Sequence, residues 1–140
     1  MEKFLVRILE ADQPFFEGFC ESLIVPVVDG EYGVLAHHSN TISAIVPGTM
    51  TYKLPNGEVQ IAAVSAGLIK IENNEVLVLV DSAEHPDEID IKRAKREADE
   101  AKEAILHKRT TMEYRLAQAT LARAINRVKV KESQLHSQNK

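Results

Sequence analysis

The sequence contains no tryptophan, and its aromatics are limited to four Phe and three Tyr. A core built from it has to be aliphatic. Cys20 is the single cysteine, so no disulfide forms within the chain, which suits a reducing compartment. No apolar run approaches the roughly 20 residues of a membrane span; the densest is VLVLV. The first residues, MEKFLVRILEADQ, carry a charge every few positions and do not read as a signal peptide. No direct membrane insertion is expected, and membrane association has to run through a partner. Catalytic motifs are missing too. Ser65 lacks a GxSxG setting, Cys20 has no base nearby in sequence, and no glycine-rich phosphate loop ending in GKS or GKT occurs. No catalytic residue is expected.

What is present is a soluble composition, 44% hydrophobic and 27% charged over 140 residues, enough for one domain or a small domain with an appendage. The net charge of −4 hides an asymmetry. Residues 1–84 hold 4 basic and 12 acidic side chains, whereas residues 104–140 hold 8 basic and 2 acidic. An acidic body with a basic tail points to an acidic surface as the tail's partner.

Two periods divide the chain. FLVRILEA, ESLIVPVV, MTYKL, EVQIAAV, LIKI and EVLVLV are short, rich in β-branched residues and bounded by turn residues. Asn56-Gly57 and Asn73-Asn74 each separate two such runs and signal hairpins. After Ala83 the period lengthens. Pro86-Asp87 reads as a helix start with Asp87 as cap. Ile91, Ala94, Ala98, Ala101 and Ile105 make one narrow apolar seam, and Tyr114, Ala117, Leu121, Ala124 and Val128 make a second. At about 100° per residue the seams lie roughly 180° apart on a straight helix, so one surface cannot bury both. Folding back at Lys108–Thr111 lets them face each other. The expected fold class is therefore β + α. An N-terminal antiparallel β-sandwich, or a flattened barrel, over residues 1–84 precedes a C-terminal antiparallel two-helix hairpin over residues 85–140. Alanine-rich seams bury little area, so the hairpin is expected to be marginally stable and to open when a better surface is offered.

His37 and His38, side by side in EYGVLAHHSN, raise the question of a metal or acid–base site. On a strand the two rings point to opposite faces. No Cys lies nearby, and no Asp or Glu follows at ligand spacing. No metal site is expected there, and the residues alone read as a polar turn at the end of the domain.

The stretches VDGEYGVLAHHS, IVPGTMTYKL, VSAGLIKIENNEVLVLVDSAE, EIDIKRAKREA and LARAINRVKV, in this order, resemble the epsilon subunit of bacterial F-type ATP synthases along the whole chain. Ala36 stands where that family commonly has proline, and Ala66 where it commonly has glycine. The resemblance implies a non-catalytic rotor subunit of the central stalk, coupling proton flow to ATP synthesis. It implies a sandwich set against the gamma subunit and the c-subunit ring, with the alpha and beta subunits as further partners. It also implies C-terminal helices that extend into the catalytic head and inhibit ATP hydrolysis. The implied location is the cytoplasmic face of the bacterial cell membrane, peripheral, through the complex. Glu31 and His38 match family positions facing the c-ring and are read as contact residues without chemistry. Arg115, Arg123, Arg127, Lys129 and Lys131 are the residues expected to meet an acidic segment of the catalytic beta subunits.

In some bacterial members of that family ATP binds the folded hairpin. Their Ile-Asp-x-x-Arg-Ala motif is present as Ile89-Asp90-Ile91-Lys92-Arg93-Ala94, and Glu84, Arg123 and Arg127 match as well. The resemblance thus implies an ATP site of Glu84, Asp90, Arg93, Ala94, Arg123 and Arg127, with the arginines on the phosphates. Glu100 stands where ATP-binding members carry arginine, and its charge repels phosphate; Arg96, one turn earlier, is a partial substitute. No cofactor is required, and ATP is expected only as a weak regulatory ligand. The alternative is that Asp90 and Arg93 simply cap and brace the helix start. Two rival classes remain at this level. A free-standing ATP-sensing module would bind nucleotide without partners. A basic-hairpin nucleic-acid binder is disfavoured by the acidic body and by the lack of an aromatic and basic face.

Overall fold

The six alternating runs become six strands, each in the interior of a sheet. The computed structural model describes residues 2–11, 13–106 and 111–138, without the side chains of 111 and 135–138. It divides into two compact units, Met1–Glu84 and His85–Lys140. Among the described residues the first unit holds β1 (Phe4–Glu10), β2 (Gln13–Cys20), β3 (Ser22–Val27), β4 (Gly30–Leu35), β5 (Thr41–Ile45), β6 (Gly48–Lys53), β7 (Val59–Val64), β8 (Gly67–Glu72), β9 (Glu75–Val80) and β10 (Ala83–Glu84). They form two five-stranded sheets, ordered β2-β1-β9-β8-β5 and β10-β7-β6-β3-β4.

Period-2 alternation sends every second side chain into one core. Phe4, Val6 and Ile8 of β1, Val76, Val78 and Val80 of β9, and Ile69 and Ile71 of β8 face Leu23, Val25, Met50, Tyr52, Ala62 and Val64 of the other sheet. The core is mostly aliphatic, but its two largest fully buried side chains are aromatic, Tyr52 and Phe4, so the expectation of a wholly aliphatic core is corrected. The sheets are antiparallel apart from one pair: β1 and β9 run parallel, with Val6 opposite Val76 and Ile8 opposite Val78. After Glu75, EVLVLV is apolar, yet only its valines are buried. Leu79 faces outward in register with Leu9 and Leu68, and Leu68 with Ala44, which gives this sheet one outer apolar row; Leu77 lies between Arg7 and Lys70, with Ile42 beyond Lys70.

The hairpin signals differ in form. Asn73 and Asn74 both adopt positive φ, 51° and 62°, in a two-residue loop between Glu72 and Glu75. That is the left-handed pair a tight primed turn demands. Asn56-Gly57 lies in a longer loop closed by Gly57 N to Leu54 O at 2.9 Å and Leu54 N to Glu58 O at 2.8 Å.

In the second unit the helix start needs correction. Pro86–Glu88 form a 3-10 turn, not the first turn of the helix. The first helix, α1 (Ile91–Leu106), is capped by Asp90, whose Oδ1 accepts from Arg93 N at 3.1 Å. Asp87, the expected cap, instead accepts from the Gln134 side chain near the end of α2 (Thr111–Gln138). Ala94, Ala98 and Ala101 are the buried residues of α1. The helices are antiparallel. Glu97 meets Arg127 and Lys95 reaches Glu132, while Lys131 reaches back to Pro86. Of the turn expected at Lys108–Thr111, all but Thr111 lies outside the described residues. No helix among the described residues is long and apolar enough to cross a membrane.

Two outcomes follow for the sandwich. A Cβ at Gly67 would lie 1.9 Å from the Leu79 carbonyl oxygen, a backbone atom that has no room to retreat. Gly67→Ala should lower stability by about 3 kcal/mol, read as a fall in denaturant midpoint. Burial also pushes the Cys20 thiol from 9.0 to about 11, and burial with the Cys20 charge pushes the Tyr52 phenol from 10.0 to about 12. Both groups hold their protons more tightly folded than unfolded. Their stabilisation is complete below the unfolded values and is lost as pH rises through the folded ones. Denaturant midpoints should stay level below the Cys20 value of 9.0 and fall above it, and Cys20→Ala should remove the first part of that fall.

Candidate functional site

Two clusters contain the residues singled out from the sequence. The first lies at one end of the sandwich. β4 ends at Leu35, and the chain turns through Ala36 and His37, whose φ is +65°. His37 and His38 are therefore in a turn, not on a strand, and they diverge for that reason. His37 Nε2 lies 2.7 Å from Glu2, and its backbone N–H donates to Asn74 Oδ1 at 2.6 Å. His38 turns the other way. Its Nδ1 donates to Ser39 O at 2.8 Å, which leaves Nε2 to accept from the Tyr32 hydroxyl at 2.8 Å. The rings of Tyr32 and His38 also stack edge to face at 5.4 Å. This is a braced imidazole with both nitrogens engaged.

Glu31 is not brought to His38. It is exposed at the start of β4, paired with Pro26, whereas His38 follows the end of that strand. At about 3.3 Å per residue, roughly 13 Å of strand separates Glu31 from Leu35. From Glu31 to Leu35 the stretch is strand, and the turn begins only at Ala36. Among the described residues no cluster of His, Cys, Asp or Glu is arranged to hold a metal ion.

The second cluster is in the helical unit. Arg93 Nε donates to Glu97 Oε1 at 3.2 Å, one turn along α1. Arg127 Nη1, from α2, donates to Glu97 Oε2 at 3.0 Å. One carboxylate therefore joins both guanidinium groups and ties the helices together. The Arg127 side chain is only 15% exposed, against 69% for Arg93, so the cross-helix contact outweighs the local one. Asp90 caps α1, and Ala94 is buried in the seam. Arg123 is exposed on α2, and Glu84 lies on β10 in the first unit. Glu97 and Glu100 line a groove of about 220 Å³ with Ala101, Ala104, Ala117 and Thr120.

The basic residues expected to meet the catalytic head divide into two sets. Arg115, Arg123 and Lys129 are exposed. Arg127 holds Glu97, and Lys131 Nζ donates to Pro86 O at 3.2 Å and Gln134 Oε1 at 3.1 Å. Tyr32, Glu97 and Gln134 carry no site signal in the sequence, and Asn74, a turn residue there, gains a contact to His37 in the structure. Only the Arg93–Glu97 spacing of four residues was available from the sequence as a signal; the other contacts depend on tertiary register.

Residues 3–86 match the family described as "ATP synthase, Delta/Epsilon chain, beta-sandwich domain". Residues 87–132 match "ATP synthase, Delta/Epsilon chain, long alpha-helix domain". The chain belongs to the ATP synthase delta/epsilon family. Among curated members, it is 38% identical to the ATP synthase epsilon chain of Ruminiclostridium cellulolyticum, over 91% of this chain and 95% of that one. It is 36% identical to that of Ruminococcus albus, over 93% and 97%. The epsilon chain of Propionigenium modestum, described as sodium ion specific, is 29% identical over 97% and 98%. The fold recurs in the Euglena gracilis mitochondrial ATP synthase structure of OSCP, F1 and c-ring, with a TM-score of 0.80 at 18% identity, covering 96% of this chain and 82% of that one. As an ATP synthase epsilon chain it is a non-catalytic subunit of the complex, which agrees with the lack of any catalytic motif.

The epsilon chain's His38 brace is testable. Tyr32→Phe removes the hydroxyl at Nε2 and leaves the Ser39 carbonyl, which keeps the proton on Nδ1. The Nε2 15N shift should move to that of an unbonded acceptor while Nδ1 stays in place, and stability should fall by about 1 kcal/mol.

Proposed function

We propose that this epsilon chain is a rotor subunit of a bacterial synthase, working at the cytoplasmic face of the membrane, whose helical unit restrains ATP hydrolysis. The observation that carries this reading is the balance within that unit. Ala94, Ala98, Ala101 and Ala124 are buried, while Arg115, Arg123 and Lys129 face solvent. A buried methyl-sized group contributes about 0.8 kcal/mol against roughly 1.5–3 for a leucine side chain. Closure is weakly held, and the basic face is ready for an acidic segment of the catalytic beta subunits. Opening exchanges the alanine contacts for charge pairs in a drier cleft, where each contributes more than an exposed pair.

In this reading the sandwich docks on the gamma subunit, for which the outer apolar row of Leu9, Leu79, Leu68 and Ala44 is suited. Ile42, 71% exposed, lies in the adjacent row beside Lys70. The two ends of β4, with Glu31 at one and His38 at the other, serve as c-ring contacts, and the brace on His38 holds its ring in place without chemistry. Rotation of the ring then couples proton flow to synthesis. ATP is a weak regulatory ligand of the closed helices, with Asp90, Arg93, Arg123 and Arg127 as its polar contacts.

The test uses the reconstituted complex. Arg115→Ala with Arg123→Ala leaves the Glu97 contacts intact, so the closed state is preserved while the open state loses docking contacts. A loss of about 1–2 kcal/mol shifts the open-to-closed ratio by roughly 5- to 30-fold, and hydrolysis should rise accordingly. Unchanged hydrolysis in this variant and in a complex whose epsilon chain lacks residues 85–140 would show that the helices are only structural.

A further inference from the structure

The arginines that a phosphoryl group would require already hold an anion, and that anion belongs to the chain. Glu97 gives one oxygen to Arg93 Nε at 3.2 Å and the other to Arg127 Nη1 at 3.0 Å. Two guanidinium groups converging on separate oxygens of one planar anion is the arrangement in which arginines take phosphate. We propose that Glu97 is a built-in substitute for a phosphoryl group. It closes the helices without a ligand, and phosphate or polyphosphate reaches Arg93 and Arg127 only by displacing it. The proposal rests on reading this arginine set as an anion site, and it names the residue that sets the affinity.

Burial supports the assignment. The Arg127 side chain is 15% exposed and Glu97 35%. A guanidinium this far out of water requires a counter-ion, and removing one partner of such a pair leaves an uncompensated charge. Without the Glu97 charge, the position it holds at Arg127 Nη1 is open to an external anion. Position supports it too. Glu97 is one turn from Arg93 on α1 and opposite Arg127 on α2, so a single side chain blocks both donors.

Glu100 acts differently. It lines the same groove of about 220 Å³, beside Ala101, Ala104, Ala117 and Thr120. It is exposed and makes no ion pair with either arginine among the described residues. Its charge repels a phosphate through water, whereas Glu97 occupies the phosphate's hydrogen bonds. Glu97 is thus the larger barrier to phosphate, and the absence of arginine at position 100 the smaller one.

Calorimetry on the full chain tests this, with inorganic pyrophosphate and ATP as separate titrants. Glu97→Gln keeps the shape and removes the charge. It should raise pyrophosphate affinity at least tenfold, Glu100→Gln by less than threefold, and adding Arg127→Gln to Glu97→Gln should abolish the gain. Amide exchange across α1 and α2 should quicken in Glu97→Gln without ligand and return to the parent rate as pyrophosphate saturates. If Glu97→Gln loses its helical circular dichroism, Glu97→Asp replaces it, keeping the charge on a shorter arm; its affinity should rise a few-fold. Pyrophosphate affinity unchanged in the folded variant overturns the proposal, whatever the exchange rates do. A gain for pyrophosphate with none for ATP supports the Glu97 assignment and removes the nucleotide reading. ATP bound equally by parent and variant, with no pyrophosphate gain, does the reverse.

Discussion

Ala94, Ala98 and Ala101 bring only methyl groups to the seam of the helical unit, and Ala124 does the same from α2. That smallness governs the rest of the unit. Helices meeting on alanines approach closely but gain little from burial, so polar contacts decide how firmly they are held. Among the described residues these include the Glu97 carboxylate between Arg93 and Arg127, the Lys95–Glu132 pair, and the Pro86–Asp87 turn held by Lys131 and Gln134. Each is an ion pair or a charge-assisted bond, sensitive to a competing ion and to salt. A leucine seam would have made the unit permanent; an alanine seam leaves it open to competition.

The sandwich is held differently. Its core closes mainly on β-branched and aliphatic side chains, its buried Ser65 hydroxyl is bonded to the Ser82 backbone, and Cys20 and Tyr52 are buried deeply enough to resist ionisation. The same chain thus contains one unit built to stay folded and another built to be tunable. The boundary at Glu84 and His85 also marks the change in charge, from an acidic half to a basic one.

The strands legible in the sequence were β1, β3, β6, β7, β8 and β9, and all six lie inside their sheets. The strands passed over were β2, β4, β5 and β10, which are the four edges. An edge strand has one neighbour, buries fewer side chains and tolerates residues that interior strands exclude. β2 carries Pro14 and Gly18, β4 begins with Gly30 and contains Gly33, and β5 is TISAI with Ile42 exposed. The weak periodicity was a physical property of those positions. The parallel pairing of β1 with β9 left no local mark, because strand direction is a property of the assembled sheet. In the helical unit the seam was legible because 3.6-residue periodicity is local. The partners of Arg127 and Lys131 were not, since they depend on the register between α1 and α2. Asn126 and Val130, buried away from the seam positions, were invisible for the same reason.

The parallel contact between β1 and β9 has a consequence for synthesis on the ribosome. β1 lies between β2 and β9, so its sheet cannot close until residue 80 has been made, although β1 is the first strand to emerge. Pairing residues so far apart in sequence is slow, and the first strand has to wait with one edge unpaired. The 58 residues from Asp81 to Gln138, the end of α2, follow. At about 5–20 residues per second they take roughly 3–12 s to appear. The durable unit therefore has seconds in which to complete its core before the basic helices are finished. An acidic, already folded body then faces the emerging cationic tail, rather than an exposed set of unpaired strands.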